Sequence, residues 1–188
     1  NGGTLTGSWP AGGGGGGRIA IQYENLIGTP TVQCSSQSGL GRFALDKNIP
    51  ADRVAADMGS LSFTNTALLD SALTAWSGIV TALNGYIFFQ TTNSWAPTDL
   101  RMVSNALLGL PPETRMQITN DLTLMATGGI TVCTHAELTC DRNLTLLDGS
   151  SLIIQAGITN TVYTNSYGAR VTVVQTLTLA SNAWVYPF

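Results

Sequence analysis

Three stretches in the C-terminal half of the chain carry the same order of apolar and polar positions: "MQITNDLTLMATGGITV" (Met116–Val132), "LTCDRNLTLLDGSSLII" (Leu138–Ile154) and "VTVVQTLTLASNAWVY" (Val171–Tyr186). Each reads as an alternating strand, a polar pair, an LTL core, a turn of small residues and a second alternating strand. The LTL cores begin at Leu122, Leu144 and Leu177, so the first two copies lie 22 residues apart. The third follows 33 residues later, with an 11-residue excess inside "QAGITNTVYTNSYGAR". Period-two alternation directs Met116, Ile118, Leu122, Leu124, Ile130 and Val132 to one side, and Leu138, Cys140, Leu144, Leu146, Leu152 and Ile154 to the same side of the next copy. Such a unit cannot bury its apolar side alone, whereas stacked copies share one continuous core. The pattern predicts a β-solenoid, an all-β fold of short strands with rungs of about 22 residues and Gly-rich connecting segments.

The repeat organises the chain into an N-terminal β-rich segment with irregular rungs, residues 1–115, and regular solenoid rungs over residues 116–188, continuous as one domain. "SLSF", "YIFFQTT" and "DLRMVSN" read as strands from their alternation and apolar content. "ALLDSALTAWSGIVTALNGYIF" (Ala67–Phe88) has the Ala and Leu content of an amphipathic helix, but Gly78 and Gly85 interrupt it, and short strands are expected there. Pro97, Pro111 and Pro112 mark turns or edges, because proline cannot donate within a ladder. In the aligned copies Asp121, Asn143 and Thr176 fall in one column and avoid stacking like charges.

Only 10% of the residues are charged and the apolar fraction is 44%, so solubility rests on Thr, Ser, Asn and Gln, as suits a β surface. The formal charge of −3, with cations scattered singly, removes the footprint that nucleic-acid binding needs. No apolar run is long enough to span a bilayer, and no basic segment precedes an apolar one at the start, so the chain reads as a mature or excised piece.

Candidate chemistry is sparse. The glycines 12–17 formally contain GxGxxG, but a strand rather than a helix follows them, which is the reverse of a dinucleotide site. They read as backbone passing close to a neighbouring layer. The lone His135 would need Cys133, Cys140 and Glu137 to hold zinc, at a spacing that fits no common ligand pattern, and reads instead as a turn residue. No nucleophile motif surrounds any Ser or Cys, and no calcium loop occurs. The Asn143-Leu144-Thr145 sequon also reads as a ladder threonine following a leucine. Carboxylates form no column in the aligned copies, since Asp148 matches Ala126 and Ser181; Asp46, Asp52, Asp57, Asp70 and Asp99 remain the acids on which glycan cleavage could rest. Cys133 and Cys140 are a candidate disulfide, against buried thiols as the alternative. Trp95, Tyr163 and Tyr167 are candidate glycan contacts, against aromatic cover for the edge of the core.

"GGGGGGRIAIQY", "SLSFTNTALLD", "TTNSWAPTDLRMVSNALL", "NDLTL" and "YGARVTVVQTLTLASNAWVYPF" together resemble the glycine-rich β-helix repeat proteins that some bacteria secrete as very long surface or extracellular chains. The resemblance implies a right-handed parallel β-helix within a repeat array, a secreted or cell-surface location, and no catalytic residues or cofactor. The expected role is structural: a building block of an extracellular filament, surface layer or stalk. Its partners would be copies of itself or neighbouring repeats, with extracellular glycans as a second class. The expected assembly junction comprises Val171, Val173, Leu177, Leu179, Trp184, Tyr186 and Phe188, where an end without a polar cap would pair with the next unit. A carbohydrate-binding or adhesive module is the alternative, and a polysaccharide-cleaving enzyme ranks below it.

Overall fold

Short alternating segments broken by turns can satisfy their backbone only by pairing laterally. In the computed structural model, which describes residues 15–28, 33–37, 58–80, 83–155 and 168–187, they do so as parallel strands in stacked sheets. The elements are β1 (Arg18–Ile21), β2 (Cys34–Ser35), β3 (Ser60–Phe63), α1 (Ala67–Ala75), β4 (Ile79–Val80), β5 (Leu83–Phe89), β6 (Ser94–Trp95), β7 (Leu100–Met102), β8 (Leu107–Leu110), β9 (Arg115–Ile118), β10 (Leu122–Leu124), β11 (Gly129–Val132), β12 (Glu137–Cys140), β13 (Asn143–Leu146), β14 (Ser151–Ile154), β15 (Arg170–Val173), β16 (Thr176–Leu179) and β17 (Trp184–Pro187).

They form three sheets. The eight-stranded sheet runs β1-β3-β5-β8-β11-β14-β17, with β2 also on β5; the five-stranded sheet runs β16-β13-β10-β7-β4; the four-stranded sheet runs β15-β12-β9-β6. Every pairing between these strands is parallel. From β6 onward the chain visits the four-, five- and eight-stranded sheets in that order, four times over. Each such circuit lies on the one before.

The register follows the repeat read from the sequence. Met116 pairs with Leu138, and Leu138 with Val171; Leu122 pairs with Leu144, and Leu144 with Leu177; Ile130 pairs with Leu152, and Leu152 with Val185. The columns extend one circuit earlier than Met116, through Leu100 and Leu108. Met116, Ile118, Leu122, Leu124, Ile130 and Val132 are all buried, as are Leu138, Cys140, Leu144, Leu146 and Leu152, and they share one core cluster with Leu61, Phe63 and Ile87.

One expectation fails in the middle. Ala67–Ala75 is a helix, not short strands, with Leu68, Leu69, Ala72 and Leu73 buried on one face. Helical spacing of those four side chains outweighs the glycines, which lie beyond its end: Gly78, at φ 77°, terminates the turn by donating to the Leu73 carbonyl at 2.7 Å. At the other end the Asn65 side-chain oxygen accepts the Ala67 N–H at 3.0 Å, and the Tyr23 hydroxyl accepts that of Leu68 at 3.1 Å. The strands expected in "SLSF", "YIFFQTT" and "DLRMVSN" are β3, β5 and β7.

Of the described glycines of the run, Gly16 and Gly17 pass close to a neighbouring layer. A Cβ on Gly16 would collide with the backbones of Gly59 and Ser36, and the Ser60 N–H donates to the Gly17 carbonyl at 3.0 Å.

Candidate assembly surface

The two ends of the stacked circuits differ. At the N-terminal end α1 packs beside β6, and the Trp95 indole N–H donates to the Asp70 carboxylate at 2.8 Å. The helix turns Asp70, Thr74 and Ala75 to solvent and buries Leu68, Leu69, Ala72 and Leu73, while β1 and β4 end the other two sheets on that side with edges that face no further strand among the described residues. At the other end, β15, β16 and β17 each have an edge that faces no further strand among the described residues.

Exposure makes the contrast quantitative. Leu144 and Leu146 are 1% and 0% exposed, yet Leu177 and Leu179, one circuit later in the same columns, are 52% and 51% exposed. Val171 and Val173 are half-buried against the core. Covering one such leucine would contribute about 1 kcal/mol, roughly half the value for complete burial. The open strand edges add unpaired backbone groups of the kind that template further pairing.

The two aromatic residues of the expected junction that are described both lie on the edge strand β17. Trp184 pairs with Ser151 and Tyr186 with Ile153, while Val185 pairs with the buried Leu152. Strand alternation therefore puts Val185 in the inward column and directs Trp184 and Tyr186 to the outer face, where they are 58% and 38% exposed. Phe188 lies outside the described residues, as do Tyr163 and Tyr167.

Trp95 is no exposed sugar platform: it is 2% exposed, its ring lies edge-on to Phe89 at 6.1 Å between centroids, and its N–H is spent on Asp70. Nor does a disulfide join Cys133 to Cys140, which are both buried thiols. Cys133 precedes the turn into β12 and Cys140 ends that strand. Burial raises the Cys140 thiol above its ordinary value; bonds to the backbone of Arg142 and Leu122 pull it down, and the charges of Asp121 and Asp141 push it up. Burial alone raises Cys34.

Polar side chains form ladders along the corners between sheets. Asp99 precedes Asp121 in the column that continues to Asn143 and Thr176: Asp99 Oδ1 accepts the Asp121 N–H at 3.3 Å, and Asp121 Oδ1 accepts the Asn143 N–H at 3.2 Å and its side-chain Nδ2 at 2.9 Å. On the outer face of the four-stranded sheet Glu137 lies between Arg115 and Arg170, at 3.5 and 3.7 Å. The sequence repeat placed Asp121, Asn143 and Thr176 in one column, as the register has them; it missed Asp99 at the head because the circuit beginning at Ser94 carries LRM in place of LTL, and it missed the Glu137 ladder because Arg170 follows the insertion. His135 sits at a turn with φ 64°.

A cavity of about 300 Å³ opens between α1 and the 96–99 turn, lined by Asp70, Leu73, Thr74, Gly78, Pro97 and Asp99 among others. Two of the acids left unaligned in the sequence thus meet one cleft, each already accepting a hydrogen bond. Among the described residues no three His, Cys, Asp or Glu side chains converge as metal ligands, and no helix is long and apolar enough to cross a membrane. No family model, curated protein or solved structure matches the chain.

Proposed function

We propose that the chain is a parallel β-solenoid serving as a structural building block of an extracellular filament, surface layer or stalk, joined to its neighbour through the open circuit β15–β17. The observation that carries this reading is the jump in exposure from Leu144 and Leu146 to Leu177 and Leu179 within one pair of columns. Parallel stacking in a fixed register gives the fold half of the proposal its support. The extracellular half rests on the sequence resemblance to secreted glycine-rich β-helix repeats.

Sedimentation velocity over a wide concentration range tests it. Association that grows with concentration and disappears in Leu177→Lys is the expected result; a particle that stays monomeric at the highest concentration overturns the assembly role. A glycan-binding or glycan-cleaving role has its foothold in the cleft of Asp70 and Asp99, and would be favoured by saturable oligosaccharide binding that Asp99→Asn abolishes.

A further inference from the structure

We infer that the corner leading from the eight-stranded to the four-stranded sheet is the point at which this stack takes up added chain, and that residues 156–168 are an insertion there which the circuits do not need. The inference stands apart from the assembly role. It comes from the lengths of the three kinds of corner, counted between residues that pair in register. From the five- to the eight-stranded sheet every passage takes seven residues: Leu100 to Leu107, Leu122 to Gly129, Leu144 to Ser151 and Leu177 to Trp184. From the four- to the five-stranded sheet the count is five for Trp95 to Leu100, then six for Met116 to Leu122, Leu138 to Leu144 and Val171 to Leu177. From the eight- to the four-stranded sheet it is eight for Tyr86 to Ser94, six for Gly109 to Arg115, six for Thr131 to Glu137 and seventeen for Ile153 to Arg170.

The longest passage is closed by the same bond as the shortest. The Thr114 N–H donates to the Pro111 carbonyl at 3.2 Å and the Ala136 N–H to that of Cys133 at 2.9 Å, each across two residues; the Ala169 N–H donates to the Gln155 carbonyl at 3.0 Å across thirteen. The strands on either side keep their places, with the Gln155 N–H on the Val132 carbonyl and the Arg170 N–H on that of Ala136, both at 2.9 Å. Joining ends already held at turn distance costs an entropy that grows slowly with the length between them. The corner of constant length is instead stitched from circuit to circuit. A Cβ on Gly128 would collide with the Met102 backbone, Thr127 Oγ1 accepts the Asn105 N–H at 2.9 Å, and the Asn182 carbonyl accepts the Gly149 N–H at 3.1 Å. Added chain would part those contacts, whereas at the other corner the register passes through unchanged. Sequence can thus vary at one corner without rebuilding the core, which is how a fixed scaffold acquires new surface contacts.

Urea unfolding of three variants of the 188-residue chain tests this. Replacing residues 156–168 by a Thr-His pair, as at Thr134 and His135 one circuit earlier, should leave the circular-dichroism spectrum as it is and the unfolding midpoint equal or higher. A lower midpoint would overturn the inference, because those residues would then hold the circuits together. A Gly-Ser segment of the same length inserted between Thr134 and His135 should keep a cooperative transition, and the same segment between Ala126 and Thr127 should abolish it. Equal losses at the two corners, or a larger loss at the first, would also overturn it. Each of these outcomes is independent of whether the chain associates end to end.

Discussion

At Gly59 an added methyl group would strike the carbonyl oxygen of Gly17, a backbone atom held by a hydrogen bond from Ser60. Backbone cannot swing aside as a side-chain tip can, so Gly59→Ala should destabilise the fold by about 1–3 kcal/mol, measured by urea unfolding. The opposite case is Ala126, which holds φ 49° at a corner and bears the steric cost of a left-handed residue with Cβ. Ala126→Gly relieves that cost and loosens the unfolded chain, and should come out neutral to about 1 kcal/mol more stable by the same measurement. The buried thiols set a pH limit. Cys34 and Cys140 are raised above the ordinary 9.0 in the folded state, so the folded chain holds their protons more tightly than the unfolded one. Their contribution is complete below that value and is lost as pH rises through the raised values, so stability should fall above about pH 9. Alanine at both positions should flatten that alkaline limb, while a limb that stays as steep would show that other groups cause it. What could be read at this scale was the turn role of His135 and the close approach of the glycines, because both depend on local backbone geometry. The partner of the buried Trp95 could not be read, because Asp70 reaches it across 25 residues from a helix that the sequence pattern did not reveal.

Elements were legible in proportion to their repetition. Strands β9 to β17 follow the aligned copies because each apolar column recurs at the same position in every circuit, and the insertion before β15 changes the count without changing the register. Helix α1 replaces a strand once and repeats nowhere, so only local signals could mark it: Asn65 and Thr66 at its start, Leu68, Leu69, Ala72 and Leu73 at helical spacing, and Gly78 after its end. Its attachment is testable. Asp70→Ala removes the acceptor of a buried indole N–H and should cost about 1–3 kcal/mol, while Asp70→Asn, which keeps an oxygen there, should cost less; equal losses would show that the bond does not hold the helix. On the four-stranded sheet the Arg115, Glu137 and Arg170 ladder is largely exposed, so each pair is worth only about 0–1 kcal/mol. Glu137→Lys would stack three cations and should destabilise by roughly 1 kcal/mol at low salt, a penalty that shrinks as salt is added and is followed by the melting temperature.

Among the described residues a helix covers part of one end, β15–β17 lie uncovered at the other, and the middle circuits have neighbours on both sides. Amide hydrogen exchange at concentrations below association should therefore be slowest in β10 and β13 and faster in β16 and β17, whereas uniform protection would show that the bare circuit is covered within the single chain. The difference also gives the stack a direction in time. Synthesis from the N-terminal side completes the circuit of β3, α1 and β4 before those of β6–β17, and each later circuit finds a finished edge, in register, to fold against. The edge that accepts the next circuit is renewed at every turn, so the β15–β17 circuit presents the same template surface that ordered β9, β12 and β15 in succession.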